Sequence, residues 1–210
     1  MRTATRIVAA WLGIASAAAG LEHGYFEILQ GNVPPASLMF ASMGPPCVPE
    51  KIWNACEPAM SLIPSFLISG ILAVVVSLLV LIWSVWFVQR EQGGLVLILL
   101  CVILLLCGGG FFPPLFGVIG GAAGTQINKP LGGRPAGGVL RFAAKLWPWP
   151  LVIFVGWAFG QFPVGYFFND LLKSNMLISL PLIVAMLPLS VYTGYAHDIG
   201  GRTNQREERP

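Results

Sequence analysis

The sequence predicts an all-α integral membrane protein with four transmembrane helices and a helical hairpin broken by Gly and Pro. Three observations predict it. Hydrophobic residues make up 56% of the 210 residues and charged residues only 10%, at a mean hydropathy of +0.76; a soluble domain carries about 25% charged residues. The apolar residues fall in long runs, several of them free of ionisable groups, and a helix needs about 20 such residues to cross a bilayer core. The 25 Gly and 17 Pro sit between long apolar runs with no period of three. That excludes collagen, and the apolar content excludes disorder.

The first segment, Ile7–Leu21, is apolar and rich in small residues, and Arg2 and Arg6 precede it. It reaches spanning length only if the helix continues through Glu22, His23 and Glu27 toward Leu29. A rival reading is a signal peptide with small residues at Ala17 and Ala19; cleavage would leave the downstream topology unchanged. Residues 30–61 form a Pro-rich outer loop holding Cys47 and Cys56. Leu62–Val88 is the second span, without an ionisable group.

Leu95–Gly124 also lacks ionisable groups but is interrupted by Gly108, Gly109, Gly110, Pro113 and Pro114. It predicts a hairpin that turns at this break and leaves on the side it entered. Each arm has about 15 residues, roughly 22 Å of helix, short of a core about 30 Å thick. A re-entrant pair and two short tilted spans both remain open. Residues 125–146 form a Gly-rich, basic inner loop. Trp147–Phe168, with Gln161 and Pro163, is the third span; Met176–Tyr195, with Pro181 and Pro188, is the fourth. Neighbouring helices can satisfy the carbonyls that such prolines free. Residues 1–196 make one membrane domain, and 197–210 a polar cytoplasmic tail.

Positive charge sets the threading, because cytoplasmic segments collect Lys and Arg. With the N-terminus inside and the hairpin returning to its own side, all of the twelve Lys and Arg except Lys51 and Lys173 fall inside. A single crossing of 95–124 puts most of them outside, or, inverted, exposes Arg2 and Arg6. The returning hairpin also places Cys47 and Cys56 outside, where disulfides persist. The prediction is a multi-pass protein of the cell membrane with both termini cytoplasmic. Its basic inner face suits anionic lipid headgroups. The charges are spread over separate segments, so nucleic acid is not a predicted partner. Trp83, Trp86, Trp147 and Trp149 fall near the inner interface, and Tyr25, Trp53 and Tyr166 near the outer.

Cys47 and Cys56 predict a structural disulfide, worth about 2–3 kcal/mol on a chain-entropy argument. Their spacing excludes a Cys-x-x-Cys redox site, and no nearby His completes a zinc set. Trp53 inside the loop is either a contact residue or an interfacial anchor.

Glu22, His23, Glu27 and Gln30 form a polar cluster on the first segment, with His23, Glu27 and Gln30 on one helical face. Ionisable groups inside membranes are expensive and usually functional, so a proton relay or a cation site is one reading. The sequence favours the plainer one, in which the helix ends near Leu21 and these groups are wet. His197 falls on the opposite side of the membrane, so no two-histidine metal site is expected.

The Gly108–Pro114 break reads first as a packing hairpin and second as a backbone site for a solute or cation. Five small-xxx-small pairs, Gly20/Gly24, Gly117/Gly121, Gly120/Gly124, Gly133/Gly137 and Gly156/Gly160, are near the number chance supplies. Cys101 and Cys107 read as small apolar residues. The sequence lacks the motifs G-x-S-x-G, H-E-x-x-H, G-x-G-x-x-G and the Walker loop. No enzymatic activity, cofactor or metal is predicted.

The layout, together with Cys47 and Cys56, resembles the claudin-type tetraspan proteins. Those have four spans, inner termini and two cysteines in the first outer loop. The resemblance covers architecture and these two cysteines. Gly44, Pro45 and Pro46 stand where that group has Trp-Gly-Leu-Trp, and the hairpin is additional.

Two functions follow. The first is a non-catalytic accessory or scaffold component that presents the stapled outer loop. The alternative is a small transporter or channel using the broken hairpin and the Glu22/His23/Glu27 cluster. The bilayer is the expected partner, with other membrane proteins or a second copy of the chain as further candidates.

Overall fold

Helix dominates the computed structural model, which describes residues 2–41, 56–130 and 137–207, with side chains through Gly200. Four stretches are long and apolar enough to cross a membrane: Thr3–Gln30, Phe66–Phe87, Gly138–Phe167 and Asn169–Gly200. Two apolar helices, Gly93–Leu106 and Phe112–Gly124, are shorter.

Helix α1, Thr3–Gln30, runs through the centre of the bundle. Arg2, at its N-cap, supplies no capping side chain. Asp198, far along the chain, does so instead. The Ala4 amide donates to Asp198 Oδ1 at 3.0 Å, and the Thr5 amide and hydroxyl donate to Oδ2 at 2.8 and 2.7 Å. A carboxylate there satisfies two orphan amides and opposes the positive end of the helix dipole. α1 does not stop near Leu21. It continues to Gln30 and ends at Gly31, φ +77°. His23 and Glu27 are therefore not wet: they are 1% and 0% exposed. The cover comes from helices distant in sequence, which local pattern does not reveal.

Helix α2, Phe66–Ile82, is capped by Ser65 and continues into one π-helical turn, Trp83–Phe87. α1 and α2 cross where Gly24 faces Gly70. A Cβ at Gly24 would lie 2.8 Å from the Gly70 carbonyl oxygen, and one at Gly70 2.6 Å from that of Gly24. Only small residues permit this approach.

Helices α3, Gly93–Leu106, and α4, Phe112–Gly124, form an antiparallel hairpin. Gly94 packs on Gly121 and Gly124, and Cys101 on Gly117. The hairpin lies along α2. The Trp83 indole N–H donates to the Gly93 carbonyl at 2.8 Å, near the last turn of α2. The Ser69 hydroxyl lies 2.9 Å from the Cys107 carbonyl, at the first turn. At the tip, the Gly108 amide donates to Met60 O (2.9 Å) and the Leu62 amide to Leu106 O (3.0 Å). Unwound backbone is thus paired by the segment that leads into α2, as a low-dielectric setting requires. Pro113 and Pro114 open α4, where a missing amide proton costs nothing.

Strands β1, Met39–Ala41, and β2, Pro58–Met60, pair antiparallel with Met39 opposite Met60. They close the base of the long loop. Its middle, with Cys47 and Trp53, lies outside the described residues, and so does the predicted pairing of Cys47 with Cys56. Among the described residues, Cys101 and Cys107 are free thiols.

Helix α5, Gly138–Leu146, occupies part of the stretch expected as a loop at 125–146. α6, Trp149–Phe167, and α7, Asn169–Glu207, follow. α7 runs on into the stretch expected as a polar tail, and the chain remains helical well past His197. The reason is packing. Asp198 caps α1, the His197 ring lies tilted against that of Trp147 with centroids 6.2 Å apart, and Gly200 approaches Ala144.

α1 buries both sides. Ala9 and Ala17 join Val80, Leu97 and Leu104 of α2 and α3. Val8, Leu12 and Ala15 join Leu151, Phe154 and Leu187 of α6 and α7. The basic segments gather at one end. Arg2 donates from its amide to Ile127 O (3.0 Å) and from Nη2 to Pro130 O (3.2 Å), and lies over the Tyr195 ring at 4.8 Å. Asn128 donates to Gln89 O at 2.9 Å.

A candidate site at the hairpin tip

The polar cluster of α1 and the glycine break of the hairpin are far apart in sequence, and the fold brings them together. Gly110 has φ +81°, and a Cβ there would lie 2.6 Å from both Cε1 and Nε2 of His23. Gly108 has φ +91°, and a Cβ there would overlap the Glu27 carboxylate and lie 2.6 Å from Ser69 Oγ. Both positions need a left-handed backbone and a missing side chain. Gly109 packs instead on Leu104.

His23 Nε2 stands 3.5 Å from Glu57 Oε2. Its Nδ1 has no hydrogen-bond partner among the described residues, and neither has either oxygen of Glu27. The Ser69 hydroxyl, which shares the space above Gly108 with the Glu27 carboxylate, lies 2.7 Å from the Ser61 hydroxyl and 2.9 Å from the Cys107 carbonyl. Two buried ionisable groups one turn apart on α1 are thus held by the hairpin tip with few polar contacts.

Beside them is a cavity of about 440 Å³, between α1 and α4 on one side and α6 and α7 on the other. Phe112, Phe116, Phe154 and Trp157 give it aromatic walls, with Phe116 and Phe154 edge to face at 5.2 Å. Its polar groups are Glu22, Glu57, Gln161 and Lys173. The Lys173 ammonium lies 3.7 Å from Asp170 Oδ1. Cys56, Glu57 and Pro58 bring the base of the long loop over the cavity. Glu57 therefore touches the cavity and the buried His23 at once.

Of the residues singled out in the sequence, Glu22 and Pro113 line the cavity; Gly108 packs on Glu27 and Gly110 on His23 outside its lining, with Glu57 linking His23 to it. Gln30 lies a turn further along, donating to Phe26 O at 3.4 Å. Pro114 is buried within α4. His197 stays at the opposite end of α1 from His23, beside Trp147. Glu57, Ser69, Trp157 and Lys173 escaped the sequence reading as site residues. Ser69 carried a signal, as a hydroxyl in the apolar start of α2. Glu57 carried none beyond adjacency to Cys56.

Among the described residues, no group of three or more His, Cys, Asp or Glu could hold a metal ion. The chain matches no family model, and no curated protein or solved structure matches it. The site's own geometry therefore carries the functional reading.

Proposed function

We propose that the protein is a small membrane transporter whose solute binds in the cavity at the hairpin tip. One observation carries this: Glu57 lines the cavity and also pairs with His23, against which the tip glycine Gly110 is packed. A solute that engages Glu57 changes the setting of His23 and, through it, of the hairpin. Discontinuous helices beside ionisable groups are where membrane carriers bind and gate. The scaffold reading gives the loop a partner outside the molecule. The position of Cys56, Glu57 and Pro58 over the cavity gives it a role within.

The proposal includes the threading and the staple. The basic segments meet at one end of the bundle, which favours both termini in the cytoplasm and the cavity toward the outer face. A Cys47–Cys56 disulfide then tethers the loop that carries Glu57. No catalytic step is assigned.

The test is two-sided accessibility at Ala158, which lines the cavity. Ala158→Cys, with Cys101 and Cys107 replaced by Ala, is reconstituted in vesicles and treated with a membrane-impermeant thiol reagent on either side. A transporter labels from the outer side and, in a second population, from the inner side, with Glu57→Gln shifting the ratio. Labelling from one side alone, unchanged by Glu57→Gln, overturns the proposal.

A further inference from the structure

Glu27, closed in by the hairpin tip, makes a second site beside the cavity. We infer that it binds one proton, and that the tip opens when that proton leaves. The coupling rests on the transporter reading; the proton on Glu27 stands without it.

The first argument is the supply of hydrogens. Glu27 is 0% exposed, and neither of its oxygens has a hydrogen-bond partner among the described residues. The Ser69 hydroxyl beside it has one hydrogen to give. The Ser61 hydroxyl at 2.7 Å and the Cys107 carbonyl at 2.9 Å both stand to take it. The tip is thus a cluster of acceptors short of a donor. A proton on Glu27 turns one of those acceptors into a donor.

The second argument is charge. On α1, His23 is one turn from Glu27, and Glu22 lines the cavity with a contact of its own. The loop base brings Glu57 to His23, so a charged His23 is matched there. The hairpin contributes the Cys107 thiol, and α2, α3, α4 and α6 carry no charged residue. From α7, Lys173 lines the cavity and pairs with Asp170. No cation among the described residues is left for Glu27, and a buried carboxylate without one neutralises.

The third is room. Gly108 closes on both carboxylate oxygens so tightly that one Cβ would overlap them. A hard metal cation gathers about six oxygen ligands; a proton needs no added volume. Gly108 on Glu27 and Gly110 on His23 hold the tip against α1. When Glu27 gives its proton to water, the bare carboxylate must be hydrated, and the tip must part from α1 to admit that water. The reverse step returns the proton, and no other bond changes.

Infrared spectroscopy of the purified full chain in detergent tests this through the C=O stretch of a carboxylic acid. Exposed carboxylates are ionised at neutral pH, so a buried acid stands out. One such band should be present at neutral pH, shift in D2O, persist in Glu22→Gln and vanish in Glu27→Gln. If Glu27→Gln fails to fold, alkaline titration of the native chain replaces it, since the band should give way to a carboxylate stretch. Hydrogen exchange then reads the coupling. The Gly108 and Leu62 amides, bonded to Met60 and Leu106, should exchange at least about tenfold faster once the band is lost, after correction for the intrinsic rate.

No acid band at neutral pH, or one that survives Glu27→Gln, overturns the proton site. Tip exchange that ignores the loss of the band overturns the coupling. Two-sided labelling at position 158 without the band keeps the transporter and removes its proton. The band with one-sided labelling keeps the proton and removes the transporter, and the coupling with it.

Discussion

Gly108 and Gly110 carry φ values of +91° and +81°, and each lies against a buried ionisable side chain of α1. Alanine at either position meets backbone strain and a clash together. We expect Gly108→Ala to cost about 2–4 kcal/mol, combining a left-handed non-glycine residue with overpacking. Gly156→Ala is the control: a Cβ there finds nothing within 4 Å, so the change should be neutral or stabilise by about 0.5–1 kcal/mol. Thermal melts of both variants in the same detergent check this, and equal melting temperatures would refute the packing of the tip on Glu27. The sequence showed the i, i+4 pair His23 and Glu27 and the glycine run, but as two separate features. No local pattern relates residue 27 to residue 108. Nor does any periodicity place Glu57 against His23, since Glu57 belongs to a short strand-edge segment of a long loop.

The helices were largely legible because each is a long apolar run, and the physics of spanning length is local. Their ends were less so. α1 continues through charged residues because α2 and the hairpin cover them, and α7 continues past His197 because its C-terminal part packs on α1 and α5. Small-residue spacing also divides by element. Gly20, Gly24, Gly117, Gly120, Gly121 and Gly124 all sit at close helix contacts, whereas Gly156 and Gly160 face open space; Gly133 lies outside the described residues. Spacing alone gave these pairs equal weight. One contact that ties α7 to α1 is the Asp198 cap, and it is testable alone. Asp198→Ala should cost about 1 kcal/mol, the usual value of a lost N-cap. It should also speed hydrogen exchange at the Ala4 and Thr5 amides, while amides in the middle of α1 keep their rates. Unchanged exchange at both amides would mean the cap does not form.

At the scale of the whole molecule, the fold constrains threading more tightly than charge counting does. Arg2 binds the backbone at Ile127 and Pro130, Asn128 binds Gln89, and Asp198 binds Ala4 and Thr5. These contacts fasten the start of α1, the turn after α2, the end of α4 and the C-terminal part of α7 to one end of the bundle. The proposed threading then puts Lys129 and residue 205 on one side of the membrane and Lys173, at the start of α7 beside the cavity, on the other. Single cysteines at Lys129, Lys173 and Gln205, probed in intact cells with an impermeant reagent, should label at position 173 alone. Labelling at 129 and 205 but not 173 would keep the fold, reverse its orientation, and turn the cavity toward the cytoplasm. Labelling at only one of 129 and 205 would break the fold itself, because no orientation of this bundle separates them. The same measurement thus tests the returning hairpin: if Leu95–Gly124 crossed once, Arg90 and Lys129 would part, and the Asn128–Gln89 contact at 2.9 Å could not exist.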